Sequence, residues 1–231
     1  LLEGAAEMDR HFRYSSTEEN VVLRAAFADL IYTQNMHCQT RGIFPYDERL
    51  RMLVPYLQQL EMESNGKSVT VDGEPLDRPS APVVWGGVGT DAQHAVFQLL
   101  HQGTVTVPVE FVAAAESGSQ LPAHHRQLLL NAFAQGAALM QGRAGDDPHR
   151  REPGNRPSAT ILLDRLDARR LGSLIAFYEH RTFANAALLG INPFDQFGVE
   201  LGKHIANELA EGGGELDLDA STRALMEKSG L

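Results

Sequence analysis

Cysteine is almost missing from these 231 residues: Cys38 stands alone, so no disulfide can close within the chain and no multi-cysteine zinc site can assemble. A reducing, cytoplasmic setting fits that usage. Lysine is nearly as scarce, with Lys67, Lys203 and Lys228 against seventeen arginines. Positive charge is in deficit overall, 20 Lys+Arg against 30 Asp+Glu for a net −10, which argues against a broad grip on nucleic acid or an anionic membrane. No apolar run reaches the roughly 18 residues that a membrane-spanning helix needs. The opening Leu1-Leu2-Glu3-Gly4-Ala5 has neither an initiator Met nor a signal-peptide pattern, and is read as the middle of a longer protein. What is present is ordinary globular material, 43% hydrophobic and 22% charged. A chain of this length can bury roughly 70% of the surface its unfolded form exposes.

Periodicity predicts a helix over Glu18 to Tyr32 behind Ser15-Ser16-Thr17, and a second after Pro45 with Leu50, Leu53, Tyr56, Leu57 and Leu60 on one side. Ser64-Asn65-Gly66 signals a turn, and Ser68 to Gly73 alternates like a short strand ending in an Asp-Gly turn. Strands are predicted at Pro82 to Trp85, at Thr104 to Val112 and, as a buried one, at Ala159 to Leu163. Helices are predicted over Asp91 to His101, Arg126 to Met140, Leu171 to Leu189, Pro193 to Leu209 and Ser221 to Lys228. The segments Gly142 to Pro157 and Glu211 to Glu215 read as linkers. Strand, loop, helix, strand is the grammar of a parallel sheet. The fold expected is α/β: three αβα layers, a mostly parallel sheet of Rossmann-type topology, and helices at the C-terminal end.

Four groups of residues carry chemistry. Gly87-x-Gly89-x-x-Ala92, with Glu110 in the next strand, lies close to a dinucleotide-binding fingerprint, or is a tight turn at a sheet edge. Glu61 and Glu63 stand at a helix C-terminus, which disfavours negative charge, so a carboxyl held there suits proton traffic; a solvated helix end is the plain alternative. His94 is placed in the first turn of the helix after the glycine loop, where an imidazole suits acid/base work, though a surface role is open to any of the nine histidines. His124-His125 diverge as neighbours and make a poor metal pair. Finally, Phe194, Phe197, Leu201 and Ile205 form an apolar helical stripe, with Gln196, Glu200 and Lys203 on a polar one. Lys203 can donate a proton if partly buried, or sit on an exposed ion-paired face.

Together these segments resemble one family, the glucose-6-phosphate (phosphoglucose) isomerases. The resemblance lies in Glu61-Met62-Glu63-Ser64-Asn65-Gly66-Lys67, Trp85-Gly86 with Gly89-Thr90 and Gln93-His94-Ala95, and His101-Gln102-Gly103-Thr104. It continues through Gly154-Asn155-Arg156-Pro157, Leu171-Gly172, Tyr178-Glu179-His180, and Phe194-Asp195-Gln196-x-Gly198-Val199-Glu200-x-x-Lys203. The chain departs from the family's usual Glu-Pro at Gly87-Val88 and its Asn-Gly at Asp91-Ala92.

The resemblance implies the C-terminal (large) sugar-isomerase-type domain over 1–231, with a helical tail over 193–231 and the N-terminal domain absent. It implies interconversion of glucose 6-phosphate and fructose 6-phosphate through a cis-enediol, in glycolysis and gluconeogenesis. Glu63 matches the carboxylate that moves the proton between C2 and C1, His94 and Lys203 the pair that opens the ring, and Gln59 and Gln196 the glutamines that touch substrate. It further implies a cytoplasmic homodimer with His94 contributed across the interface, no metal or organic cofactor, and no activity for this chain by itself. Two other readings remain: a non-catalytic sugar-phosphate-binding module, and a dinucleotide-binding oxidoreductase domain resting on Gly87, Gly89 and Glu110.

Overall fold

The computed structural model describes residues 1–118, 121–211 and 217–231, so most of the linker expected at Glu211 to Glu215 lies outside the described residues. The chain forms two compact units, Leu1–Pro193 and Phe194–Leu231, each described by itself. In the first, β1 (Thr40–Pro45), β2 (Val83–Gly86), β3 (Val109–Ala114) and β4 (Ser158–Leu163) make a parallel sheet in the order β2-β1-β3-β4. Parallel neighbours require crossovers, and helices supply them. α3 (Leu53–Leu57), α4 (Gly89–Gln102) and α5 (Pro122–Gln141) lie in these crossovers, while α1 (Leu2–Tyr14) and α2 (Val21–Leu30) precede β1 and α6 (Ala168–Leu189) follows β4.

Alternation along the central strands sorts the layers. Ile43 of β1 and Val112 of β3 pack with Leu53, Val54 and Leu57 of α3, Val22 of α2 and Leu174 and Phe177 of α6. Phe44 and Phe111 point the other way, onto Phe97 and Leu100 of α4 and Ala132 and Leu139 of α5. The result is the three-layer αβα arrangement that the sequence predicts. Helix ends follow their local chemistry: Asn20 caps α2 by accepting from the Leu23 N–H at 3.2 Å, and Asp167 caps α6 by accepting from that of Arg170 at 2.8 Å.

Three expectations change. Ser68 to Gly73 forms no strand; a lone antiparallel bridge, Val69 to Pro75, folds it into a small loop turned at Gly73 (φ +82°). No neighbouring strand runs along it, and its Val71 N–H goes instead to the Gly190 carbonyl at 2.8 Å. The strand expected from Thr104 starts only at Val109, because Pro108 has no N–H for the ladder. Nor is β4 buried: it lies at the sheet edge, and Leu162 is half exposed.

The first and last helices of this unit cross at glycines. A Cβ at Gly4 would fall 1.8 Å from the Arg169 carbonyl oxygen, and one at Gly172 would fall 2.0 Å from that of Leu1. The Ser173 hydroxyl donates to the Gly4 carbonyl at 2.9 Å, and Phe12 stacks on His180 with ring centroids 4.5 Å apart. Gly172→Ala must therefore push the two backbones apart, and is expected to lower stability by about 1–3 kcal/mol. Thermal unfolding checks this, and an unchanged melting temperature would contradict the close crossing.

The second unit holds α7 (Glu200–Ala210), preceded by a 3₁₀ turn at Phe197–Val199, and α8 (Ala220–Ser229), capped by Asp219. α7 begins later than the sequence suggests. Gln196 (φ −146°, ψ 40°) is outside helical geometry, so Phe194 and Gln196 do not share the helical stripes of Leu201 and Lys203.

Candidate active site

The site is built on charges that stand where a core should be apolar. On the sheet face that carries Ile43 and Val112, the same alternation also points Arg41 and Glu110 inward. Both are buried, and buried charge is tolerable only when paired and hydrogen-bonded. Arg41 donates from Nη1 to Asp29 Oδ1 of α2 at 2.8 Å, and from Nη2 to both carboxylate oxygens of Glu61. Arg181 of α6 reaches the same Asp29 through Nε (2.7 Å) and Nη2 (2.6 Å), and Glu110 through Nη1 (2.6 Å). Asn185 donates to Asp29 at 2.9 Å, and the Tyr178 hydroxyl donates to Glu110.

The cluster thus sets three carboxylates against two guanidiniums. Burial alone would raise every carboxyl. At Asp29 the guanidiniums of Arg181 and Arg41, with hydrogen bonds from Arg181 and Asn185, outweigh burial and hold the group well below the usual carboxylate range. At Glu110 the same two cations and the Tyr178 hydroxyl also prevail over burial, and the carboxyl is lowered. Glu61, whose grip comes from a single nitrogen, is the poorest compensated: burial pushes its carboxyl up against the pull of Arg41. Burial beside Glu110 pushes the Tyr178 phenol well above its ordinary value.

Glu61 belongs to a π-helical turn, Gln58–Glu63, that continues directly from α3. Such turns widen the backbone spiral and often mark functional sites. One side of this turn is fastened. The Gln58 amide donates to the Val84 carbonyl of β2 at 3.1 Å, Val84 N–H reaches the Met62 sulfur at 3.4 Å, and Glu61 is held by Arg41. Just beyond it, Asn65 is buried and donates to the Thr182 carbonyl at 3.0 Å. Lys67 turns its ammonium back onto the carbonyls of Glu63 and Ser64, both at 2.8 Å, as suits a helix C-terminus. On the exposed side, four residues apart, stand Gln59 and Glu63. The fold brings these two sequence-derived candidates together.

His94 lies elsewhere on the same unit. α4 begins at Gly89, so His94 is in its second turn rather than its first, past the reach of the helix end invoked from sequence. It is exposed and lines an open cleft of about 330 Å³ with Gln98, His101, Gln102, Gln135 and Glu152. His101 is engaged with Gln135 at 2.9 Å. Glu63 and Gln59 do not line this cleft. Gln196 and Lys203 belong to the second unit, Gln196 at the cap of its 3₁₀ turn and Lys203 exposed on α7.

The dinucleotide reading fails on geometry. Gly89 is small because a Cβ there would meet the Tyr46 ring at 2.2 Å, so the glycine serves packing. Glu110, its proposed ribose-binding acid, is locked between Tyr178 and Arg181. Sequence reading missed Asp29, Arg41 and Arg181 altogether. The available signal was a single charge inside each of several apolar stretches: Asp29 in Ala25 to Tyr32, Arg41 before Gly42-Ile43-Phe44, and Glu110 within Val109 to Val112.

A model of the phosphoglucose isomerase family matches residues 1–226. The glucose-6-phosphate isomerase of Sphingopyxis alaskensis is 67% identical over 228 residues, covering 98% of this chain and 45% of that protein. That of Novosphingobium aromaticivorans is 66% identical over 232 residues, covering 100% of this chain and 46% of that protein. The crystal structure of a glucose-6-phosphate isomerase from Chlamydia trachomatis is similar with a TM-score of 0.89 at 37% identity, covering 98% of this chain and 45% of that one. The chain spans a little under half the length of the curated relatives it matches.

Proposed function

We propose, on the premise that this chain belongs to the phosphoglucose isomerase family, that it forms part of an enzyme interconverting glucose 6-phosphate and fructose 6-phosphate. The observation that carries the reading is the Glu61–Lys67 motif, folded so that Glu61 and Asn65 are buried while Glu63 faces solvent beside Gln59. Aldose and ketose differ by a proton moved from one carbon to its neighbour and a second shifted between two oxygens. Glu63 removes the proton from C2 of the open-chain aldose, leaving a cis-enediol, and returns it to C1 to give the ketose. One carboxylate serves both steps because the two carbons are adjacent. Before that, the ring opens: His94 and Lys203 take the C1 hydroxyl proton and deliver one to the ring oxygen. Gln59 and Gln196 hydrogen-bond the sugar.

The exposed position of His94, on a cleft that Glu63 does not line, supports its delivery to a partner subunit's site in a homodimer. The steps are proton transfers and call for no metal or organic cofactor. The single cysteine, Cys38, is buried and suits a cytoplasmic setting. Among the described residues no helix is long and apolar enough to cross a membrane.

The test is full-length protein given fructose 6-phosphate in deuterated water. Formation of glucose 6-phosphate with deuterium at C2 is expected, with none formed by the 231-residue chain alone. Tight binding of sugar phosphate by full-length protein without turnover would replace the isomerase with a binding module.

A further inference from the structure

We propose that Arg41 and Glu61 act together as positioning residues for Glu63: the guanidinium of β1 grips the Glu61 carboxylate and thereby fixes the π-helical turn that presents the proton-transfer group. The inference rests on the isomerase reading and adds to it a device that the Glu61–Lys67 motif alone does not disclose.

The geometry runs outward from the core in four links. Arg181 of α6 and Asn185 hold Asp29 of α2 from one side. Asp29 holds Nη1 of Arg41 from the other, at 2.8 Å. This leaves Nη2 of Arg41 aimed at the π-helical turn, where both oxygens of Glu61 accept from it. Glu61 is two residues before Glu63 within the same turn, and the backbone between them is further tied through the Met62 sulfur to β2. The links among Arg181, Asn185, Asp29, Arg41 and Glu61 are buried, so the grip does not compete with water. Gln59 and Glu63 alternate with the fastened Gln58 and Glu61 and are left on the exposed side.

The grip is also uneven in a way that a purely structural ion pair would avoid. Arg41 serves two carboxylates with its two terminal nitrogens, while its Nε has no hydrogen-bond partner. A cluster chosen for stability alone would do as well with Gln at position 61, removing the surplus carboxylate. The third carboxylate stands at the one cluster position that shares a turn with Glu63. An error of about 1 Å in the placement of a reacting group can cost on the order of a hundredfold in rate, so an anchored turn has a direct kinetic consequence.

The experiment compares wild-type full-length enzyme, Glu63→Gln, Glu61→Gln, Arg41→Lys and the double variant Arg41→Lys/Glu61→Gln. For Glu61→Gln, kcat is expected to fall roughly ten- to hundredfold with KM held within about threefold, because the sugar contacts are untouched. Amide hydrogen exchange across residues 58–64 should accelerate while α4 and α5 stay as in wild type. The double variant should be no slower than the worse single one, since both changes break the same contact. Arg41→Lys keeps the charge but loses the fork, and serves as the second route should Glu61→Gln unfold.

Additive losses in the double variant would overturn the proposal. So would wild-type kcat in a folded Glu61→Gln, or failure of both single variants to fold. An inactive wild type, or an active Glu63→Gln, would instead bring down the isomerase reading itself.

Discussion

Glu63→Gln is expected to reduce isomerisation by full-length enzyme about a thousandfold while leaving KM nearly unchanged, as loss of a general base in place of a substrate contact should. The amide keeps the size and hydrogen-bonding reach of the carboxyl but cannot carry a proton between carbons. Deuterium exchange at C2 of glucose 6-phosphate should vanish with turnover, because one group is proposed to perform both halves of the transfer. Ring opening is proposed to rest on His94 and Lys203, so anomer interconversion measured by NMR should persist in the variant. A variant that still exchanges C2 deuterium at the wild-type rate would remove Glu63 from the mechanism. The position of Glu63, exposed at the end of a turn whose other side is pinned, also predicts that the change leaves the melting temperature within a degree or two.

The largest effect on stability is expected from Arg181→Met. Arg181 is buried and is shared by Asp29 and Glu110, so its removal leaves two carboxylates without their main cation. Breaking a buried pair in this way costs about 3–5 kcal/mol, on the order of a 10 °C loss in melting temperature for a unit of this size.

The pH dependence has a definite sign. In wild type the folded-state values of Asp29 and Glu110 are depressed, so their contribution is present above the unfolded carboxylate range near 4 and is lost as pH falls through the folded values. Glu61 is raised and works oppositely: its contribution is present below that range and is lost as pH climbs through its folded value. Without Arg181 the two depressed groups lose their cation, and protonation then relieves the folded state. The deficit of Arg181→Met should therefore be large at pH 7 and shrink on acidification toward pH 4. A deficit equal at both values would mean that Arg181 acts through its aliphatic packing alone.

Much of the layer arrangement was legible because it depends on local pattern. The apolar run at Val83-Val84-Trp85 and the helical spacing of Phe97 and Leu100 each needed only neighbours in sequence to be read. The boundaries that shifted did so where a partner decides: Ser68 to Gly73 alternates like a strand but has no strand to pair with, and β4 is apolar yet ends at the sheet edge. At the candidate site, the Glu61–Lys67 motif was visible as a motif, whereas the division of labour within it was not. Glu61 and Glu63, two positions apart, fall on opposite faces of any helical turn, but which of the two faces the core is set by Arg41 and the packing around it. The ion cluster was illegible for a simpler reason. Its members, Asp29, Arg41, Glu61, Glu110 and Arg181, are scattered along the chain, and only the tertiary fold makes them neighbours.

The glycine crossing of α1 and α6 has a consequence for biosynthesis. α1 leaves the ribosome some 150 positions ahead of the helix that covers it. At ordinary elongation rates that is a wait on the order of ten seconds, during which Met8 and Phe12 have no α6 to pack against. Nascent chains of this protein should therefore engage chaperones early and release them only once α6 has emerged.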